Sequence, residues 1–254
     1  MSQPKENYSA KLRAKSMVYF VICIILTLIC LVPIYILIIN ATRKHVDIIS
    51  SVSFIPGSNL AANVKKLLND PMFQFDPFIG FKNSAIIAVG STVLSVFFSA
   101  LTAYGLVVYD FKLRGPAYTF ILVVMMVPMQ VTSVGFLQFM IKLGLSDSFI
   151  PLIVPTIAAP AIVFFMRQYL KSSFPLDIVE AARIDGCGEF RTFLTIAIPM
   201  MKPAIAVQAI FAFIQNWNNF YQPSMILVSR KFEQITMPMM INMLKSNDKI
   251  ADYG

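Results

Sequence analysis

The sequence predicts an all-α membrane protein, a polytopic helical bundle, and three observations lead there. Apolar residues make up 57% of the 254 residues, above the ~45–50% of soluble domains. The excess is gathered into five blocks, each close to the ~20 residues that cross ~30 Å of hydrocarbon. Basic residues stand beside these blocks rather than on a face of their own: Lys11, Arg13 and Lys15 before the first, Lys112 and Arg114 between the second and third. That is the placement of membrane-flanking charge. The net charge of +8 therefore speaks for a lipid surface and against nucleic acid, which calls for a basic face.

The first block, 18–39, is too long for the core of a secretory leader, and no small-residue cleavage site follows it, so it is read as a retained span. Lys5, Lys11, Arg13 and Lys15 precede it against one acid, Glu6, which favours a cytoplasmic N-terminus. Alternation then places 40–82 outside as an extracellular loop, 109–116 inside, 141–149 outside, 171–202 inside and 229–254 outside. The loop 40–82 carries Pro56-Gly57, Asp70-Pro71 and Asp76-Pro77, which are turn signals, and Leu60–Leu68 fits a short amphipathic helix. The second block, 83–108, and the third, 117–140, read as spans. The fourth, 150–170, holds Pro151, Pro155 and Pro160. Proline removes a backbone donor, so this span belongs where neighbours satisfy the freed carbonyls, with a kink. The fifth, 203–228, is followed by 232–244, too short to span and read as interfacial or re-entrant. Cys23, Cys30 and Cys187 form no disulfide framework, and His45 is the only histidine; it is read as a polar residue at a helix end. The whole chain, 1–254, is read as one transmembrane domain.

The charged interruption 171–202 has its own local logic. Pro175 suits the first turn of a helix. Ile178, Ala181 and Ala182 share a face by i, i+3, i+4 spacing, and small alanines permit close approach. Gly186 suits the left-handed residue that ends a helix. Gly188 suits the next N-cap, with Glu189 favourable in the first turn, and Pro199 marks a bend before the fifth span. The residues thus predict helix, sharp turn, helix. Two readings fit them: a docking loop for a soluble partner, or an amphipathic loop resting on lipid headgroups.

On a straight fifth span, Gln208, Gln215, Asn219 and Gln222 fall within roughly a 60° sector at ~100° per residue, with Asn218 alongside. Amides at membrane depth face protein or water. They suit sugar hydroxyls, since they donate and accept, and equally suit interhelical contacts. Gln130, Thr132, Ser133 and Gln138 carry the same two readings in the third block. Trp217 and Tyr221 are read as anchors or packing groups near the outer interface. No Gly-x-x-x-x-Gly-Lys-Ser/Thr phosphate loop occurs, and the middles of the spans hold no acids of the kind that proton- or sodium-coupled carriers use. A transporter so built borrows its energy. No catalytic residue, metal-ligand set or cofactor site is expected in the chain, and it is not read as an enzyme.

Glu180-Ala181-Ala182, Gly186, Ile196 and Pro199 closely resemble the EAA loop of ABC importer permeases. Arg183-Ile184-Asp185-Gly186 resembles its sugar-importer form. Ile198 and Cys187 depart from the family's usual Leu and Ala. The stretch Gln215 to Pro223 and residues 143–155 are also similar to carbohydrate-uptake permeases, and together they point to the maltose-type permeases, in the smaller of the two paired subunits. The resemblance implies a multi-pass protein of the bacterial inner membrane that moves sugars or oligosaccharides with a second permease, an extracellular solute-binding protein and two ATPase subunits holding ATP and Mg. It implies ATPase docking at Glu180, Ala181, Ala182, Asp185 and Gly186, and a lever at 177–190. It also implies a sixth span after Gly254, in a longer chain. The alternative is an energy-independent channel or facilitator for small polar solutes.

Overall fold

A computed structural model describes residues 5–69, 76–229 and 231–246; Asp70-Pro71 lies outside them. The chain divides into two compact units, Met1–Phe75 with Leu244–Gly254, and Asp76–Met243. The described residues are helical where they are regular.

In the first unit, α1 (Lys5–Ala41) is one long helix with Pro33 inside it, and its stretch Leu12–Ala41 is long and apolar enough to cross a membrane. Two short helices come next, α2 (His45–Ser50), opened by His45, and α3 (Leu60–Asn69), the amphipathic piece expected there. Side chains that the sequence did not single out hold this loop. Arg43, 7% exposed, donates to the Ser51 carbonyl at 2.9 Å and the Asp47 carbonyl at 2.6 Å. Asn63 donates to the carbonyls of Ala41 and Arg43, both at 2.9 Å. Thr42 closes the Pro56-Gly57 turn by accepting from Gly57 N at 2.7 Å.

The second unit is built around α4 (Pro77–Val108). Asp76 caps it, accepting from Phe78 N at 2.9 Å, with Pro77 in the first turn. At its far end Arg114 donates to the carbonyls of Leu106 and Val107 at 2.8 and 3.1 Å, a cation where the helix dipole is negative. Small residues line its buried side: Ser84, Ala88, Ser91, Ser95, Ser99, Ala100 and Ala103. Small residues let membrane helices approach closely.

The third block is not one straight helix. α5 (Arg114–Met125) and α6 (Met129–Lys142) meet at 95°. Pro128 is the reason: it lacks an N–H and holds extended backbone (ψ 130) as the cap of α6. The fourth block is one span, Ile150–Ser173, interrupted inside where its prolines stand. α7 (Ile150–Ile153), a 3-10 turn (Val154–Ile157) and α8 (Pro160–Ser173) succeed one another, each with a proline in its first two positions. Serines of α4 serve the carbonyls of this broken stretch: Ser91 donates to Leu152 O at 3.1 Å and Ser99 to Ala159 O at 3.4 Å. Thr156 returns a bond to Ser91 O at 3.2 Å. Neutral hydroxyls thus satisfy backbone that lipid would leave bare.

After α8 come α9 (Asp177–Ile184), α10 (Glu189–Thr192), a π-turn (Phe193–Ala197), α11 (Ile198–Met200) and α12 (Lys202–Trp217). The bend expected at Pro199 is present, 80° between Glu189–Met200 and Lys202–Trp217. The fifth block also departs from expectation. Its helix stops at Trp217 and restarts as α13 (Tyr221–Ile226). Residues 232–246 form a 3-10 turn (Phe232–Gln234) and α14 (Met237–Ser246). Asn83 and Ser84 of α4 hold this piece: Asn83 donates to the carbonyls of Glu233 and Ile235 at 2.8 and 2.9 Å, and Ser84 accepts from Met237 N at 2.9 Å. Among the described residues, three helices are long and apolar enough to cross a membrane, five if each bent pair is one span. The core joins α4, α8 and α12 through Tyr104, Met166, Leu170 and Ala212, with Phe193 and Met201 at the bend.

Candidate functional site: the 177–190 turn and the helix breaks

The turn between α9 and α10 is local chemistry carried out as the residues predict. Gly186 takes φ +75, where a Cβ is disfavoured. Its N–H bonds the Arg183 carbonyl at 3.0 Å and the Cys187 N–H bonds Ala182 O at 2.9 Å, the paired bonds of a Schellman ending. Gly188 is the cap of α10, with Thr192 N on its carbonyl at 2.9 Å and Glu189 in the first turn. α9 begins at Asp177 with Leu176 as its cap, so Pro175 stands just before the helix and not in its first turn as expected.

The face of α9 differs from expectation. Val179 (1% exposed) and Ala182 (6%) turn inward, and Val179 joins the core with Phe174 and Phe193. Ile178 and Ala181 point outward instead, because the helix is seated by Val179. They share a stripe with Asp185 by i, i+3, i+7 spacing, next to Ile184, which is 87% exposed. Glu180, Asp185 and Gly186 are exposed as well. Of the five residues expected at a docking face, four lie outside, and Ala182 forms the seat behind them.

A charged cluster closes the turn. Glu189 accepts from Arg183 Nε at 2.7 Å and Nη2 at 3.3 Å, and from the Tyr109 hydroxyl at 2.7 Å. The Arg183 guanidinium also lies over the Tyr109 ring, 5.8 Å from its centre. Tyr109 is the residue that ends α4. These groups lie outside the spanning helices. The Arg183 bond, then the Tyr109 bond, hold the Glu189 carboxyl below its usual range. Burial, then the bond to Glu189, push the Tyr109 hydroxyl up to about 12. The Arg183–Glu189 pairing across a glycine turn is legible as complementary charge six residues apart; Tyr109, 80 residues away, carries no sequence signal.

The polar candidates cluster only in part. Asn219 and Gln222 lie beyond the end of α12, so the straight stripe does not exist. The cause is Asn219 itself: its Oδ1 accepts from Gln222 N at 3.2 Å and its Nδ2 donates to Gln222 Oε1 at 2.8 Å, an amide competing with the helix for backbone groups. Ser133 and the Tyr221 hydroxyl meet at 2.9 Å. This brings the two helix breaks together, with Gln130 and Thr132 within a turn of Ser133 on α6, and Asn218 and Asn219 just before Tyr221. Gln130, Thr132, Gln215 and Asn218 are exposed and Asn219 is half-buried. Gln208 is half-buried and lies nine residues before Trp217, about 14 Å along the axis, away from this cluster. Trp217 is a packing residue, with ring centres of Phe213 and Phe81 at 5.6 and 5.8 Å.

Comparison with known proteins agrees with this architecture. Residues 95–246 match the family described as binding-protein-dependent transport system inner membrane component. The chain is 36% identical over 226 residues to the arabinooligosaccharides transport system permease protein AraQ of Bacillus subtilis, covering 87% of this chain and 78% of that one. It is 30% identical over 210 residues to the sn-glycerol-3-phosphate transport system permease protein UgpE of Pectobacterium atrosepticum, covering 82% and 74%. A solved bacterial ABC transporter involved in the import of the acidic polysaccharide alginate superposes with a TM-score of 0.74 at 22% identity, covering 99% of this chain and 87% of that one, and shares the fold. The chain belongs to this family of transport permeases and is an inner-membrane component of an ABC importer.

Proposed function

We propose that this chain is one of two paired permease subunits of an ATP-driven saccharide importer, with its N-terminus in the cytoplasm. Two ATPase subunits, which hold ATP and Mg, dock beneath it, and an external solute-binding protein delivers substrate. The observation that carries the reading is the 177–190 turn. It presents Ile178, Ala181 and Ile184 to solvent beside Glu180 and Asp185, on a helix seated in the core by Val179. Exposed apolar groups on a charged loop suit a protein partner, and the chain has no phosphate loop of its own.

The two helix breaks form the substrate path. Val131 N bonds the Pro128 carbonyl at 3.1 Å, but the N–H groups of Met129 and Gln130 precede any intrahelical acceptor, and Pro128 offers no side-chain cap. Lipid would leave such groups unsatisfied, so the break faces water or the second permease. Gln130, Thr132, Gln215, Asn218 and Asn219 line it with neutral donors and acceptors. A saccharide matches these; a phosphoester calls for cationic donors, which this set lacks. Gln208 is assigned to helix packing.

The test is recovery of the tagged chain from native membranes in mild detergent, followed by uptake in proteoliposomes. Recovery of an ATPase, a second permease and a binding protein, with ATP-dependent uptake, is expected. The chain alone or as a homo-oligomer, with flux independent of ATP, would establish the facilitator reading. For the path, Gln215→Leu is the cleaner probe, since Asn219 also holds the break. Loss of uptake in an assembled complex is expected, and full uptake at unchanged affinity would remove Gln215 from the path.

A further inference from the structure

We propose that Glu189 is a positioning residue: with Arg183 and Tyr109 it locks the docking helix α9 to the end of α4, across the glycine turn. The inference rests on the importer reading and names the element that makes the 177–190 loop rigid enough to act as a lever.

The glycines of the turn are themselves unpacked. A Cβ built on Gly186 or Gly188 meets no atom within 4 Å. The Schellman bonds belong to the α9 side, and the Thr192–Gly188 bond belongs to the α10 side. Val179 and Ala182 seat α9 along one short stripe of its inner face, and a helix of two turns held on one stripe can still rock about it. Arg183 lies one turn further on, before the glycines; Glu189 lies after them. Their contact, at 2.7 and 3.3 Å, spans the joint. The second carboxylate oxygen carries the connection into the bundle through Tyr109 at 2.7 Å. The Tyr109 ring stands edge-on to Tyr104 at 6.1 Å, and Tyr104 lies against Phe193 at 5.3 Å and Phe174 at 6.2 Å. Tyr104 belongs to α4, the helix packed against both α8 and α12. A push on α9 is thus delivered to α4 and the spans around it instead of being absorbed at the glycines.

The pair is 41% and 45% exposed, so it adds little to stability in water. Its geometry matters more than its energy: one carboxylate ties three chain segments. A merely structural role would change yield; a positioning role changes the work obtained per ATP.

The test uses the assembled complex of both permeases, the ATPases and the binding protein, and measures uptake per ATP hydrolysed together with ATPase recovery. Glu189→Ala is expected to lower uptake per ATP by about fivefold while ATPase recovery is unchanged. Tyr109→Phe, which removes only a hydroxyl, is expected to lower it less, and serves if the alanine variant assembles poorly. Arg183→Glu and Glu189→Arg each set like charges together; combined, they are expected to regain uptake beyond either alone. Wild-type ratios in Glu189→Ala and Tyr109→Phe would overturn the proposal, as would a combined variant no better than its two parents. In both cases ATP-dependent uptake by the unaltered complex would leave the importer reading standing. Failure of the unaltered complex to recover an ATPase would strike that reading instead.

Discussion

The span Ile150–Ser173 has a glycine turn beyond each end, and the two turns share one backbone solution. Gly144 closes α6 at φ +69 and Gly186 closes α9 at φ +75. The paired bonds are the same: Gly144 N to Ile141 O and Leu145 N to Met140 O, both 3.0 Å, against Gly186 N to Arg183 O and Cys187 N to Ala182 O. At both glycines a Cβ would meet open space. The two turns differ in how the chain beyond them is held. After Gly144 the chain is pinned largely through backbone. Asp147, itself at φ +58, donates its N–H to Ile226 O at 3.0 Å, accepts from Gln234 Nε2 on its carbonyl at 2.9 Å, and takes Ser229 N on its carboxylate at 2.8 Å. After Gly186 the polar pins are side-chain groups, Arg183, Glu189 and Tyr109, with Thr192 and Phe193 buried behind them. Backbone bonds tie a brace into the body of the unit, whereas a charged side-chain clamp can be disturbed with the helices intact. The same turn thus makes a brace at one end and a joint at the other.

The largest expected effect comes from putting valine at each glycine. A left-handed residue with a Cβ costs about 1–2 kcal/mol, roughly tenfold in an equilibrium. Gly186→Val is expected to uncouple uptake from ATP hydrolysis. Gly144→Val, with the same local strain, is expected to lower thermal stability and leave uptake per ATP unchanged. Equal loss of coupling in both would erase the distinction between joint and brace.

Next come the side chains at the brace. Asp147→Ala keeps the unfavourable φ and loses the acceptor for Ser229, so melting temperature should fall. Asp147→Asn retains an acceptor and tolerates the left-handed region, so its fall should be smaller. Both should couple normally.

Salt separates the turns more gently. Raising ionic strength screens exposed ion pairs; uptake per ATP should decline while thermal stability holds. A parallel decline of both would place the salt effect outside the clamp.

The smallest effect is on pH dependence. The folded pKa of Glu189 is lowered, so its contribution is present above the ordinary value of 4.5 and is lost as pH falls through the lower folded value. Asp147, lowered chiefly by the Ser229 backbone N–H, behaves with the same sign below 3.8. Tyr109 is raised from 10.0 to about 12, so its contribution is present below 10 and is lost as pH rises through about 12. Coupling should therefore be flat between weakly acid and weakly alkaline pH, and only the Gly186 turn should show an alkaline limb, read as uptake per ATP across a pH series.

Much of the 177–190 turn was legible because its parts are local. Gly186, Gly188, Glu189 and Pro199 act within a few residues, through φ, capping and a missing N–H. The seating of α9 was not, since Val179 and Ile178 are equally apolar and only the neighbouring Phe174 and Phe193 decide which turns inward. The stripe Gln208–Gln222 failed for a related reason: periodicity assumes an unbroken helix, and Asn219 broke it with its own amide. Pro128 is a visible breaker, but the 95° bend it permits depends on what packs on either side.

By itself the sequence determined the membrane class, the five apolar blocks, the proline-interrupted fourth span and the helix–turn–helix at 177–190, because composition, hydropathy and backbone chemistry act over short stretches of chain. Only the tertiary structure decided which helix breaks meet at Ser133 and Tyr221, that the α4 serines serve the carbonyls of the fourth span, and that Tyr109 closes the Arg183–Glu189 clamp. These are contacts between residues 60 to 88 apart in the chain, and no local preference encodes them. They exist because close packing around a small-residue helix brings polar groups together where each must find a partner.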